Sequence, residues 1–349
     1  MPIQESPNAA AALEDIDVAI VGAGLSGLTC ACRLAKQGHQ VAVLEKSRGL
    51  GGRLATRRVE AARLDHGAPY LERQGPYTEG LIAQMVTAGV VSASPTAVLT
   101  RDAQPQSVYV APEGMTAIAK ALAADLTVYR QHRVERLKPQ SGRWSLDLLT
   151  ANTVRRITAK AIVLAIPAPQ AAQLLETIEA DEVLPLLKAA KAVTFNPCFS
   201  VMVGYTSAVN ASDFPLGLLP PGDRHLRWAG FEGQKRELPH DAVVLQSSLE
   251  FARQAIDRLD DGQIAHRLVH AAQAVPRIAK LGQPAWTQTH RWRYAFCHQA
   301  YLGSCLSTQA PLPLACCGDW CCGVELDPGL EQAQRSGLAA AQAIALALG

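Results

Sequence analysis

No stretch of this 349-residue chain holds the uninterrupted apolar run that a membrane-spanning helix needs, about eighteen residues. Net charge is also lacking: the formal value is +2, with 18% charged residues, which argues against nucleic acid or a membrane surface as partner. The nine cysteines include no pair of C-x-x-C motifs. The one cluster, Cys316-Cys317-Gly318-Asp319-Trp320-Cys321-Cys322, has no histidine beside it, so no zinc site is expected. The scattered remainder (Cys30, Cys32, Cys198, Cys297, Cys305) suits reduced thiols used as small apolar side chains. Residues 1–14 have no basic n-region ahead of an apolar h-region. They read as a short disordered lead rather than a signal peptide, and the expected location is the cytoplasm. No Ser-His-Asp arrangement, paired carboxylates or obvious catalytic lysine stands out.

What the chain does have begins at Asp17. The string Asp17-Val18-Ala19-Ile20-Val21-Gly22-Ala23-Gly24-Leu25-Ser26-Gly27 is a buried strand running through a glycine turn into an Ala/Leu-rich helix. Gly22 permits the tight turn, Gly24 lets backbone approach a pyrophosphate, and Gly27 lets the helix pack against the strand. Unpaired N–H groups at the helix start, together with its dipole, suit phosphate. A second strand, His39 to Leu44, ends at Glu45, whose carboxylate is placed to accept adenosine ribose hydroxyls and would repel a 2′-phosphate. FAD or NAD is therefore expected rather than NADP.

The next residues favour FAD. Lys46-Ser47-Arg48-Gly49-Leu50-Gly51-Gly52-Arg53-Leu54-Ala55-Thr56-Arg57-Arg58 is a basic, glycine-rich loop that a nicotinamide dehydrogenase does not need. Gly51 and Gly52 allow backbone near a ribityl-phosphate region, and the Arg53 guanidinium suits a phosphate. For Arg57 and Arg58 the alternative to contact with the ligand is a solvated basic surface; Arg58 reads as solvated, and Arg57 stays open. Downstream, the small Gly67 and Ala68, following His66, can lie against a flat ring.

These residues resemble the flavin amine oxidase superfamily. The fuller string Ser47 to Arg58, with Asp65-His66-Gly67-Ala68, Trp292-Arg293-Tyr294-Ala295 and Gly318-Asp319-Trp320-Cys321, is similar to its bacterial renalase-like branch. The resemblance runs from about Asp15 to the C-terminus and is sparse between about 170 and 285. It implies an α/β fold: a Rossmann-like FAD-binding domain of the GR2 type and a second α+β substrate domain built on an antiparallel sheet. The expected boundaries are 15–75, 112–168 and 297–349 for the FAD-binding domain, and 76–111 and 169–296 for the substrate domain.

The resemblance also distributes roles. The cofactor, FAD held non-covalently, would meet Gly22, Ala23, Gly24, Leu25, Ser26, Gly27, Glu45, Lys46, Gly52, Arg53, His66, Gly67 and Ala68. Val134 would meet the adenine through its backbone. Asp319 would bind the ribityl or phosphate region, and Leu330, Glu331 and Ala333 would present a helix N-terminus to the flavin edge that gains charge on reduction. Gln332 stands where the family usually carries glycine.

Elsewhere the patterns are structural. Pro112 to Leu122 reads as a helix, Leu126 to Tyr129 as a strand, and Arg133 to Leu149 as the start of a meander. Ala161 to Ile166 reads as a strand buried on both faces. Cys198 to Tyr205 and Ala242 to Ser248 read as strands of the second sheet, Leu184 to Ala192 and Ala255 to Ala274 as helical, and Leu330 to Leu348 as a long helix. Arg224, His225, Arg227, Lys235 and Arg236 form a loosely basic region, read as a solvated loop in preference to a phosphate receiver.

Aromatic residues make up only 5% of the chain, and Gly329 stands where amine oxidases carry a cage tyrosine. The renalase-like resemblance instead implies oxidation of misreduced dihydronicotinamide dinucleotides, 2- and 6-dihydro-NAD(P). Hydride would pass to flavin N5, and O2 would be reduced to H2O2. Such a step removes no substrate proton, which suits a chain without an evident base. Two other readings stay open at this point: an amine oxidase or desaturase-type enzyme for another small molecule, and a non-enzymatic FAD protein. Tyr70, His290, Trp292 and Tyr294 are the candidate substrate-side residues. His290, Trp292 and Tyr294 alternate on one presumed strand face, with Arg291 and Arg293 on the other.

Overall fold

A computed structural model describes residues 16–59, 62–99, 105–150, 153–206, 214–218, 224–236, 238, 241–322 and 329–349. The expected disordered lead over 1–14 lies outside them. The chain divides into two compact units: residues 1–52, 122–194 and 299–349 form the first, and 53–121 and 195–298 the second.

The first unit is built on a sheet whose centre is parallel. Strand β1, Ile16–Val21, is almost wholly buried and pairs in parallel with β2, Val41–Glu45, on one side and with the inner half of Thr153–Leu164 on the other. Burial on both faces explains the continuous Val/Ile/Ala/Leu runs. Thr127–Arg130 continues the sheet beyond β2, also in parallel. His132–Gln140, Arg143–Thr150 and Thr153–Leu164 form the antiparallel meander. Helix α1, Leu25–Lys36, buries Leu25, Leu28, Ala31 and Leu34, a stripe at helical spacing. The C-terminal helix, Leu330–Leu348, lays Gly337 on the Ser26 backbone, where a Cβ would come within 2.3 Å of the carbonyl oxygen.

The second unit centres on a seven-stranded sheet. Its strands Thr194–Gly204, Ala242–Ser247 and Leu226–Phe231 are antiparallel neighbours, and the long strand Trp286–Gln299 lies at one edge. Phe199, Val201, Val203, Phe231, Val243 and Leu245 alternate onto one face and pack with Phe251, Ile264 and Leu268 from the helices. A two-stranded hairpin, β3 (Thr56–Val59) and β4 (Ala62–Asp65), adds Leu64 to a second small core with Met202 and Val244.

Boundaries depart from expectation in three places. Segments 53–75 and 112–121 group with the second unit and 169–194 with the first. The helix expected from Pro112 starts at Thr116, because Gly114 turns the chain at φ +95° against the Thr56 side chain. The helical stretch expected over Ala255 to Ala274 is two helices, Leu249–Ala255 and Asp261–Gln273. They part where Asp260 caps the second: its carboxylate accepts the Gln263 N–H at 2.8 Å, and Gln263 returns an acceptor to the Asp260 N–H at 3.1 Å.

Candidate functional site: a dinucleotide cradle and an aromatic–imidazole cluster

In the first unit, the turn after β1 separates two kinds of glycine. Gly22 has φ +105°, and a Cβ there would meet the Ala165 carbonyl oxygen at 2.6 Å; at Gly27 a Cβ would meet the Gly22 oxygen at 2.1 Å. Both are required by the protein's own packing. Gly24 is different: a Cβ there would have nothing within 4 Å. Nothing in the chain's own packing requires a glycine there. Gly24 also offers no side-chain cap to α1, and the first turn of α1 carries no acidic residue, so the N–H groups of Leu25, Ser26 and Gly27 keep no acceptor from a cap.

Glu45 closes the cradle. It is buried, and its two carboxylate oxygens accept the Ala23 N–H at 2.9 Å and the Ser47 N–H at 2.7 Å. Each oxygen retains a lone pair for a ribose hydroxyl. Gly51 donates to the Ala23 carbonyl at 2.8 Å, which ties the glycine loop to the turn, and Gly52 lies against Gly24. Lys46 is exposed and reaches Gln170 at 3.4 Å. Val134 is buried near the start of a strand whose neighbour Gln131 donates to the Ser47 carbonyl at 3.2 Å.

The C-terminal helix runs beside α1 in the same direction: Gly337 meets Ser26 near the start, and Gln342 and Leu346 share a groove with Arg33 and Gln37 near the end. Seven residues separate Leu330 from Gly337, so its amino end projects roughly 10 Å beyond that of α1. Leu330, Glu331 and Ala333 occupy that end, with Glu331 and Ala333 buried, and Asp319 is buried in the preceding turn. A cradle with a bare glycine, uncapped amide groups, a buried carboxylate and a second helix N-terminus further along fits an extended dinucleotide such as FAD.

The remaining expected residues lie in the second unit. Arg53 donates from Nη1 to the Ala295 carbonyl at 3.1 Å, and its own carbonyl accepts the Ala68 N–H at 2.8 Å. Gly67 sits so close that a Cβ would come within 2.0 Å of the Arg53 oxygen. The His66 ring stands 4.8 Å from His290, edge-on, and 5.4 Å from Trp292, stacked; His290 and Trp292 are 4.3 Å apart. Trp292 donates its indole N–H to the His66 carbonyl at 2.9 Å and lies 3.2 Å from the Ser200 hydroxyl. Arg291 and Arg293, on the other face, pair with Asp261 and Asp257. Tyr70 packs on Trp228 at 5.5 Å and Tyr294 on Phe195 at 5.7 Å.

Both imidazoles are held neutral. Burial, then His290 and Arg57, lowers His66 to about 3, and burial followed by Arg57 lowers His290 to about 4. Burial also pushes the Tyr70 phenol up to about 12.

Two features were not legible as written. Lys235 and Arg236, read as solvated, pair with Asp65 and Glu232; Lys235 is buried and the Arg236 side chain is largely covered. Lys235 Nζ lies 2.6 Å from Glu232 and 3.3 Å from Asp65, while Arg236 contacts both carboxylates. Burial alone would raise Asp65, but Lys235 and Arg236 outweigh it and hold the carboxyl below its usual value, whereas burial keeps Glu232 above its own. The second feature is Arg57, which is half-buried, while Arg58 is exposed. All nine cysteines are free thiols; seven are buried, and burial pushes Cys198 up to about 11 and Cys317 up to about 12. Among the described residues no helix is long and apolar enough to cross a membrane.

Comparison with known proteins agrees with this geometry. An NAD(P)-binding Rossmann-like domain profile matches residues 20–85, and the flavin containing amine oxidoreductase profile matches 91–345. The chain belongs to the flavin containing amine oxidoreductase family. FAD is the cofactor that membership implies, in keeping with the cradle. The Mycobacterium tuberculosis protein AofH, named as a flavin-containing monoamine oxidase, is 37% identical over 75 residues, 22% of this chain and 16% of that protein. A carotenoid 3,4-desaturase of Haloarcula japonica is 47% identical over 51 residues, 15% of this chain and 10% of that one. The matched stretches thus span a small part of these curated relatives. Among solved structures, a putrescine oxidase redesigned in its cofactor binding superposes with TM-score 0.72 at 13% identity, covering 95% of this chain and 99% of that one. Cyclohexylamine oxidase from Brevibacterium oxydans gives TM-score 0.68 at 14% identity, covering 96% and 99%. At these identities the likeness is one of fold.

Proposed function

We propose that this family member is an FAD-dependent oxidase of misreduced dihydronicotinamide dinucleotides, the 2- and 6-dihydro isomers of NAD(P), with O2 as acceptor and H2O2 as product. When bound, FAD supplies the acceptor for a hydride. The residues of the chain have simpler work. Gly24, the first turn of α1 and Glu45 would hold the adenine dinucleotide half, with Gly52 and Asp319 towards the phosphate and ribityl region. Trp292, His66 and His290 give a flat, uncharged surface for a nicotinamide ring.

The observation that carries the reading is the packing of that surface: the His66, His290 and Trp292 rings lie 4.3 to 5.4 Å apart, and burial lowers both imidazoles. An ammonium donor must lose a proton before it can be oxidised, and imidazoles lowered to about 3 and about 4 hold a proton poorly at neutral pH. A dihydropyridine needs no such loss, since departure of hydride leaves an aromatic ring. Gly329 at the start of the C-terminal helix contributes no ring to enclose an amine. The nine free thiols accord with work in a reducing compartment, the cytosol.

Anaerobic mixing of the FAD-loaded protein with borohydride-generated NADH isomers tests the reading. Rapid bleaching of the flavin is expected. Bleaching by putrescine or cyclohexylamine but not by the isomers would replace it with the amine oxidase reading, which family membership and the AofH match favour. Bleaching by no donor would leave a non-enzymatic flavoprotein.

A further inference from the structure

We propose that Arg57 determines specificity by anchoring an anionic group, a phosphate in the substrate class given above, while the His66–His290–Trp292 surface takes its uncharged ring. The inference rests on that reading of the site but concerns a residue which neither the resemblance nor the family match assigns.

In the hairpin, Thr56 stands opposite Asp65 and Arg57 opposite Leu64. Opposed residues share a face, so Thr56 and Asp65 lie on one side, where the Thr56 hydroxyl donates to the Asp65 carboxylate at 2.6 Å. Arg57 and Leu64 lie on the other. Just past β4 the His66 and Gly67 N–H groups both donate to the Ala55 carbonyl, at 3.2 and 3.3 Å, a bulge that sets His66 opposite Ala55. His66, two residues after Leu64, is therefore the diagonal neighbour of Arg57 on the same face, within reach of a long side chain. That is the face on which His66 meets His290 and Trp292.

Charge comes next. Arg63 on the same hairpin pairs with Glu113, and Arg236 pairs with two carboxylates. Arg57 is half-buried, and among the described residues no carboxylate pairs with it. Its neighbours cannot neutralise it: both imidazoles are uncharged, and the Trp292 N–H is occupied by the His66 carbonyl. The same cluster holds a buried donor or acceptor with no partner, Nδ1 of His66, on a residue only 5% exposed. An unpaired guanidinium that is partly removed from water favours an anion, and its planar fork matches phosphate or carboxylate. A protonated amine would meet a charge of its own sign. The arrangement therefore selects a flat neutral ring that carries a negative group.

The test uses the FAD-loaded full chain and its Arg57→Ala and Arg57→Lys variants, with binding followed by tryptophan fluorescence. NADH serves as the phosphate-bearing probe, reduced nicotinamide riboside as the phosphate-free one, and nicotinate as the carboxylate. Arg57→Ala is expected to weaken NADH about tenfold, with the riboside changed less than twofold and Arg57→Lys intermediate. Parent binding of NADH should fall with added salt, and the variant's should not. Loss for nicotinate but not NADH would make the anion a carboxylate and overturn the phosphate assignment. Equal weakening of NADH and riboside, unchanged binding of both, a drop in FAD affinity in place of NADH affinity, or a parent protein that binds none of the anionic probes would each overturn the proposal. Turnover of the NADH isomers is scored separately: Arg57-dependent anion binding without turnover would sink the function and spare this inference, and turnover with unaltered NADH binding in Arg57→Ala would do the reverse.

Discussion

Replacing Asp65 with Asn should unsettle the second unit without changing its shape. The Asp65 carboxylate accepts from the Thr56 hydroxyl at 2.6 Å and from the Met115 N–H at 2.9 Å, and contacts Lys235 and Arg236. An amide oxygen keeps the first two bonds, so the change chiefly removes one negative charge. With Glu232, the network holds two carboxylates against two cations, all nearly or fully buried. At an effective dielectric of about 20, a contact of 3.3 Å such as Lys235–Asp65 carries a Coulomb attraction of about 5 kcal/mol. Desolvation offsets part of that, and removing one partner of a buried pair typically costs about 3–5 kcal/mol, a large share of the roughly 5–15 kcal/mol that stabilises a domain. The midpoint of thermal unfolding should fall by roughly 6–20 °C. Glu232→Gln should cost less, because burial raises the Glu232 carboxyl while Lys235 and Arg236 lower Asp65, so the Glu232 charge is the less strongly held of the two. Urea denaturation followed by far-ultraviolet circular dichroism, at saturating FAD, measures both. A loss below about 1 kcal/mol for Asp65→Asn, or a larger loss for Glu232→Gln, would refute the reasoning.

Two glycine substitutions should separate ligand binding from folding. Gly24→Ala has open space around its new Cβ and should leave the unfolding midpoint nearly unchanged while sharply weakening FAD; Gly27→Ala, whose Cβ would meet the Gly22 oxygen at 2.1 Å, should destabilise the protein by about 1–3 kcal/mol or more. Equal effects on FAD affinity and stability in both variants would contradict the cradle. Acid should act through the imidazoles. His66 at about 3 and His290 at about 4 stay neutral in the folded chain, while an unfolded histidine takes up a proton below about 6.5. The unfolded state then binds more protons, so stability is full above pH 6.5 and declines as pH falls towards 4 and 3. His66→Gln should flatten that decline in denaturation curves taken between pH 7 and 4.5, and a slope identical to the parent's would count against a buried neutral His66.

The parts of the fold visible in the sequence are those whose physics is local. The β1–α1–β2 run, the doubly buried strand ending near Pro167 and the C-terminal helix each declare themselves within some twenty residues through periodicity and glycine placement. The break at Asp260 was missed because its capping box interrupts an otherwise continuous helical pattern. Lys235 and Arg236 read as a solvated loop because Glu232, three and four residues away, looks like an ordinary surface partner, while Asp65, which completes the buried network, lies 170 residues or more away in sequence and leaves no local trace. The site divides in the same way. The placement of Gly24 at the start of α1 and of Glu45 at the end of β2 was legible from spacing. That His66 would join His290 and Trp292, while Tyr70 and Tyr294 pack on Trp228 and Phe195, depends on how strands distant in sequence align. Arg57 gained meaning only from its hairpin register.

The account turns on the cradle between β1 and α1. The most direct measurement is to purify the chain, release any bound chromophore by denaturation, and identify and quantify it by chromatography, with FAD added to the emptied protein in parallel. One FAD per chain, recovered or taken up, with Gly24→Ala impaired in uptake, is the predicted result. A colourless protein that refuses FAD, or one that binds a nicotinamide dinucleotide in its place, would contradict it.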